Sequence, residues 1–383
     1  MRRVVIVQSF LKSFRVPFYQ LLRRHLERMD IQLDLLFGQP DRFHCDDADI
    51  VRDLSFARRI NNRYVYWGHR SMVWEPALAS AGSADLVILQ QGNRHLLNHL
   101  LLCTHRLLGC RVALWGHGRN FQSTQADGVL ERVKRAYSRR VGHWFAYTDR
   151  SRDVLLGLGV PDGRITTVQN AIDTRTMSRD YDLAEPAEVD RLRRELGIAH
   201  GSAVAIWCGR FYRLKSVDFL LECMRSLRDA RPDFHMLLVG DGQEASRVRE
   251  FCRVNSAWAH YLGPRYGAAK ALCFRLASCQ LMPGAVGLSV LDSFAFLTPL
   301  ITRRLEAHGP EIAYLQDGVN GLLTGPDCPE YTQAVLRYFE QPVLQRRLAE
   351  GCRAAREQYT IENMAWRFAQ GVEAALSQGV CRQ

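Results

Sequence analysis

The sequence predicts an α/β protein built from two doubly wound parallel sheets, and three observations carry that expectation. Short β-branched or apolar runs alternate with helical patterns from one end of the chain to the other. The alternation lapses once, over an acidic, proline-bearing stretch near the middle. At 383 residues the chain also exceeds the usual size of one domain, so two of similar size are expected.

In the first half, strands are expected at 4–7, 33–37, 86–89, 112–115 and 144–147, separated by helical patterns such as 19–28. The lapse falls at 180–186, where Asp180, Asp182 and Glu185 lead into Pro186 without a strand, and a charged helical stretch follows at 188–196. A second series runs through 204–207, 234–239, 259–262, 279–282 and 299–302. This divides the chain into an N-terminal, acceptor-side domain at 1–180, a linker and entry helix at 181–200, a C-terminal domain at 201–360 and an amphipathic closing helix within 361–383. Pattern alone leaves open which domain that helix packs on, a crossing back to the N-terminal one included. Ligands of such sheets bind beyond the carboxyl ends of the strands, so the main site is expected in a cleft between the two domains.

Composition excludes several classes. A hydrophobic content of 47% with 24% charged residues describes a folded chain rather than a disordered one. No run of about 20 apolar residues is available to span a bilayer, and 96–108 is interrupted by Asn98, His99, His105 and Arg106. Met1 to Arg3 followed by 4–7 reads as a first strand rather than a secretory leader, because the apolar run is short and meets Gln8 and Lys12. The 11 cysteines include no Cys-x-x-Cys pair and sit largely in apolar runs, as reduced buried thiols do. The expected location is therefore cytoplasmic.

A formal charge of +11 implies an anionic partner. Around 129–141 the helical pattern puts Val129, Val133 and Tyr137 on one stripe and Arg132, Arg135 and Arg139 on another. Such a helix suits an anionic membrane surface at the inner face of the membrane; it equally suits an ordinary packed helix with a solvated side. Basic residues are not interleaved with stacking aromatics, so nucleic acid is not expected as a partner. Asp47-Ala-Asp49 imitates a metal-binding Asp-x-Asp, but in an acidic loop of the wrong half, and His95 with His99 lacks a third ligand. No metal is expected.

Two stretches carry chemistry. A strand ends at Cys208, Gly209 lets the backbone turn, and Arg210 and Lys215 follow before the next helix. A fork-shaped guanidinium and a point-charge ammonium together suit a diphosphate. Further on, a strand ends at Met282, a glycine-bearing turn with Gly284 and Gly287 follows, and Leu288 and Ser289 open a helix in which Ser289 is placed to cap. A helix start favours phosphate, and Asp292, one turn in, is placed to accept hydrogen bonds from ribose hydroxyls.

These residues, with Gly240-Asp-Gly242 and the run from Gly287 through Thr298-Pro-Leu-Ile-Thr302 and Pro310-Glu-Ile312 to Asp317-Gly-Val-Asn-Gly321, resemble glycosyltransferase family 4, which has the GT-B fold. The first half joins the resemblance through Ala146-Tyr-Thr-Asp149, Leu158-Gly-Val-Pro161 and Asn170-Ala-Ile-Asp173. The resemblance implies two Rossmann-like domains facing across a cleft. It implies a retaining, metal-independent transfer from a nucleotide-sugar donor to a glycan or lipid-linked acceptor, with no other cofactor, as in cell-envelope polysaccharide or lipopolysaccharide synthesis. Arg210 and Lys215 would clamp the donor diphosphate, with Gly209, Gly287, Leu288, Ser289 and Asp292 around the donor. His117, in Gly116-His-Gly118, would contact the donor sugar or its phosphate. Lys12 and Arg15 would face the acceptor. Asp292 stands at the second carboxylate of the family's Glu-x7-Glu pair; Gly284 stands at the first, a departure that Glu311 in the return loop could make good.

Two rivals remain. Gly240-Asp-Gly-Gln-Glu-Ala245 fits the dinucleotide fingerprint, although no acid ends the following strand to hold a ribose. A non-catalytic subunit of a polysaccharide assembly complex would explain Gly284.

Overall fold

The computed structural model describes residues 1–43, 49–68, 70–105, 107–118 and 141–377. The basic helix expected at 129–141 lies, but for Val141, outside the described residues, as does Asp47. The chain divides into two compact units, one of Met1–Ile172 with the segment from Ile361 on, the other of Asp173–Thr360.

The first unit holds a parallel sheet of β1 (Arg2–Gln8), β2 (Ile31–Phe37), β3 (Ala57–Arg59), β6 (Leu86–Gln90), β7 (Arg111–Gly116), β8 (His143–Ala146) and β9 (Ile165–Thr167), in the order β3-β2-β1-β6-β7-β8-β9. An antiparallel hairpin of β4 (Arg63–Trp67) and β5 (Arg70–Trp74) interrupts the series. Central strands are apolar on both faces because helices cover both sides, as Val4 to Val7 and Leu86 to Leu89 show by their full burial. The helix Ile361–Ser377 lies in this unit: the Phe368 ring stacks on Phe145 with centroids 4.1 Å apart and meets Trp115 edge-on at 5.1 Å.

In the second unit β10 (Ala203–Cys208), β11 (Phe234–Val239), β12 (Ala259–Gly263), β13 (Cys279–Leu281), β14 (Leu300–Arg303) and β15 (Gly321–Thr324) run parallel in the order β12-β11-β10-β13-β14-β15. That is the dinucleotide-fold order, with the reversal between β10 and β13. The expected linker at 181–200 is instead part of this unit. Tyr181, Val189 and Ile198 enter its apolar core beside Val204 and Phe274, so the division falls at Ile172–Asp173. There the first-half motifs find local purposes. Thr148 caps the helix Asp149–Gly157 by accepting from Ser151 N (3.3 Å), and Asp173 caps Thr174–Asp182 by accepting from Thr176 N (3.0 Å).

Candidate functional site

The switch point between β10 and β13 faces the loops after both strands, and in such sheets this is where ligands bind. After β10 the chain runs Gly209, Arg210, Phe211 and Tyr212 into a short 3-10 turn, Arg213–Lys215. After β13 it runs Met282, Pro283, Gly284, Ala285, Val286 and Gly287 into the helix Ser289–Ala295. The two loops are joined: Ala285 N–H donates to Leu214 O (2.8 Å), and Lys215 Nζ donates to Ala285 O (2.6 Å) and Val286 O (3.2 Å).

Lys215 is thus buried, and burial lowers its pKa to about 8 against the opposing pull of Asp292. An ammonium has three donors, two of which the carbonyls take, leaving one for an anion. Arg210 is exposed on the same loop. Arg210 and Lys215 share the loop after β10 with unequal surroundings, one exposed and one built into the loop junction.

Gly284 has a steric cause. A Cβ there would lie 2.2 Å from the Lys215 carbonyl carbon, so no side chain fits this loop contact without displacing backbone. The carboxylate absent from this position is therefore incompatible with the way the two loops join. The glycines that imitate the dinucleotide fingerprint are explained similarly. Gly240 has φ +139, and a Cβ on it would meet Gly209 O at 1.7 Å; one on Gly242 would meet Phe211 O at 2.4 Å. Close approach to the Gly209–Phe211 backbone is their function in the fold, which removes the sequence support for an oxidoreductase.

Asp292 is buried one turn into its helix, with Oδ1 2.9 Å from Lys270 Nζ. Burial works against the Lys270 ammonium, yet Asp292 holds its pKa above the ordinary lysine range. Asp292 thus shares its Oδ1 with a lysine that gave no signal in the sequence. Ser289 does not cap: Leu288 occupies the cap position, no side-chain cap bond forms, and Ser289 is the first helical residue. Gly287, Leu288 and Ser289 remain half-exposed at the turn.

The Met282–Val286 turn is held from its far side as well. Thr302 Oγ1 donates to Met282 O (2.7 Å), and Arg303 Nε to Pro283 O (2.8 Å). Val286 N–H donates to His308 Nδ1 (3.3 Å), whose Nε2–H donates to Arg303 O (2.8 Å), fixing a neutral tautomer. Glu311 is buried nearby, with Oε2 2.8 Å from where a Cβ on Gly309 would be. Arg303 and His308 gave no sequence signal, because their targets are carbonyl and amide groups about twenty residues away.

In the first unit, His117 follows β7, its ring 4.1 Å from that of Tyr147. Burial and then the nearby Arg15 charge lower its pKa to about 4, so it is neutral at physiological pH. Arg15 is engaged within the unit, donating to Asn170 Oδ1 (2.6 Å) and Ala171 O (3.3 Å) beneath the Trp115 ring. Lys12 pairs with Asp49 (3.4 Å). His95 Nδ1 lies 2.5 Å from Glu75 Oε1, both buried, which accounts for that histidine without a metal.

Two such parallel sheets, with the terminal helix belonging to the first unit, are those of a GT-B fold, and solved structures agree. The chain superposes on the Anabaena HepE protein in complex with UDP with a TM-score of 0.71 at 15% identity, covering 97% of this chain and 100% of that one. On the sucrose-phosphate synthase of Thermosynechococcus elongatus the TM-score is 0.68 at 15% identity, covering 97% and 98%. Within the second unit, residues 202–341 match the family model Glycosyl transferases group 1. Similar curated proteins include the alpha-monoglucosyldiacylglycerol synthase of Acholeplasma laidlawii, 21% identical over 63% of this chain and 60% of that protein. A D-inositol 3-phosphate glycosyltransferase of Geodermatophilus obscurus is 30% identical over 41% and 37%. The chain thus spans between about a third and three fifths of the curated relatives it matches.

Proposed function

We propose that the chain is a retaining glycosyltransferase that moves a sugar from a nucleotide-sugar donor to a glycan or lipid-linked acceptor in cell-envelope polysaccharide synthesis. The observation that carries this reading is the loop junction at the β10–β13 switch point, where Lys215 and Arg210 offer positive charge beside Asp292. Arg210 and the third Lys215 donor hold the donor diphosphate, and Asp292 accepts from the ribose. His117, neutral, donates a hydrogen bond to the donor sugar or its phosphate. In transfer the bond from the anomeric carbon to the diphosphate oxygen breaks, the acceptor oxygen bonds that carbon on the same face, and the acceptor proton passes to the leaving phosphate. The charge that grows on the diphosphate is what Arg210 and Lys215 stabilise. UDP in the HepE structure favours a uridine donor among the nucleotides.

The formal charge of +11 supports an anionic membrane surface as a further partner, which would bring a lipid-linked acceptor within reach. Among the described residues no helix is long and apolar enough to cross a membrane.

A thermal-shift series with UDP-, GDP-, ADP- and dTDP-sugars tests the donor reading, because a ligand raises stability by RT ln(1 + [L]/Kd). One nucleotide class should raise the midpoint, and released nucleotide should accumulate once acceptor is present. No shift with any of them refutes it.

A further inference from the structure

The β4–β5 hairpin projects a face with no place in the site described so far. Its register pairs Arg63 with Trp74, Val65 with Met72, and Trp67 with Arg70, so these six side chains share one side. The other side is sealed against the unit: Val73 is buried, Tyr64 Oη donates to Gln39 O (2.7 Å), and Tyr66 Oη accepts from Arg42 N–H (3.1 Å). On the outward side Val65 is 60% and Trp67 49% exposed. At the edge of the sealed side Phe43, 47% exposed, meets the Tyr66 ring edge-on.

The outward face carries two arginines and no acid. Among the described residues neither Arg63 nor Arg70 has an ion-pair partner, and Arg58 and Arg59 are exposed on the edge strand β3. Val65 and Trp67 held toward water, beside the half-buried Met72 and Trp74, gain nothing for a lone domain, so a patch of this kind marks an interaction. Its chemistry selects the partner. A glycan would use tryptophan but asks for planar polar side chains around it, where this face offers Val65 and Met72. A lipid interface takes tryptophan at headgroup level, aliphatic side chains just below it, and arginine on phosphate.

We propose that the outward face of the β4–β5 hairpin docks the protein on an anionic lipid surface, with Trp67 and Val65 at headgroup depth and Arg63 and Arg70 on lipid phosphates. This rests on the reading of an anionic membrane as partner and assigns the element that meets it.

Sedimentation with sucrose-loaded vesicles tests it, comparing phosphatidylcholine alone with phosphatidylcholine containing phosphatidylglycerol. The full chain should pellet with the anionic vesicles and not with the neutral ones. Arg63→Gln and Arg70→Gln should each weaken the partition about fivefold, the value of one basic residue at such a surface. Trp67→Ser should lose most of it, and Trp67→Tyr should retain most. All three positions are exposed, so unchanged melting midpoints will show that the four variants fold. Variants that pellet like wild type overturn the hairpin assignment and leave the membrane reading standing. A wild-type chain that ignores anionic vesicles overturns both. A solution dimer dissolved by Trp67→Ser, with no vesicle binding, assigns the face to a second copy instead and overturns the proposal.

Discussion

The two units share one architectural rule and treat the carboxyl ends of their strands differently. In the second unit, backbone meets backbone there: Gly240 on Gly209, Gly242 on Phe211 and Gly284 on Lys215, with Lys215 and Asp292 buried at the seams. In the first unit the corresponding loops are lined by rings, His117 on Tyr147 and Arg15 beneath Trp115, and the charges are spent within the unit. A rigid, charged loop junction suits a ligand whose diphosphate is the same in every turnover. Ring-lined loops suit a surface that varies with the acceptor.

The largest expected effect lies in the charged junction. Lys215→Ala and Arg210→Ala should each lower turnover by about 100- to 1000-fold, as loss of one preorganised charge-stabilising donor does. Turnover with a candidate donor and acceptor measures it, and a wild-type rate in either variant would dissolve the contrast between the units. Next comes Asp292→Ala, which leaves the part-buried Lys270 without its partner and should cost about 3 kcal/mol in a denaturant titration, the low end for a buried pair. The double variant Asp292→Leu with Lys270→Met should recover much of that stability while donor binding stays lost.

A smaller effect separates the glycines. Gly284→Ala should cost about 1–3 kcal/mol by overpacking, and Gly284→Glu should not improve donor affinity, because the loop cannot seat its Cβ. Gly163→Ala in the first unit, where a Cβ meets nothing within 4 Å, should change stability by less than about 0.5 kcal/mol. Equal costs at both positions would mean that the loop junction is not close-packed.

The smallest effect is the pH response. Burial, with the Arg228 charge, lowers the His235 pKa, and burial with His235 lowers that of His260 to about 4; the two rings are stacked, with nitrogens 3.2 Å apart. Histidines held neutral in the fold take up protons on unfolding, so their contribution is complete above the ordinary value of 6.5 and is lost as pH falls from there toward about 4. Melting midpoints should drop through that window, and His260→Gln should flatten the drop in part, leaving the share of His235. His117→Asn should remove part of the first unit's share, where burial lowers the pKa of His25 as well.

Long apolar strands and the two loops after β10 and β13 were legible in the sequence because their signals are local: a hydrophobic run, then glycine and charge. Short edge strands such as β3 and β9, each with three residues, carry too little periodicity to be read. The β4–β5 hairpin was missed although Tyr64 to Trp67 alternate between inward and outward, because its aromatic residues read as apolar on both faces. The roles of Lys270, Arg303 and His308 depend on partners that only the fold brings near. Ser289 had the right residue type for a cap and the wrong place by one residue.

The central claim is that the second unit holds the donor nucleotide through the Lys215 junction. Calorimetric titration of UDP into the wild-type chain, Lys215→Ala and Lys12→Ala tests it most directly. The expected result is saturable binding by wild type and Lys12→Ala, and affinity at least tenfold weaker for Lys215→Ala. The same UDP affinity in Lys215→Ala as in wild type would contradict the account.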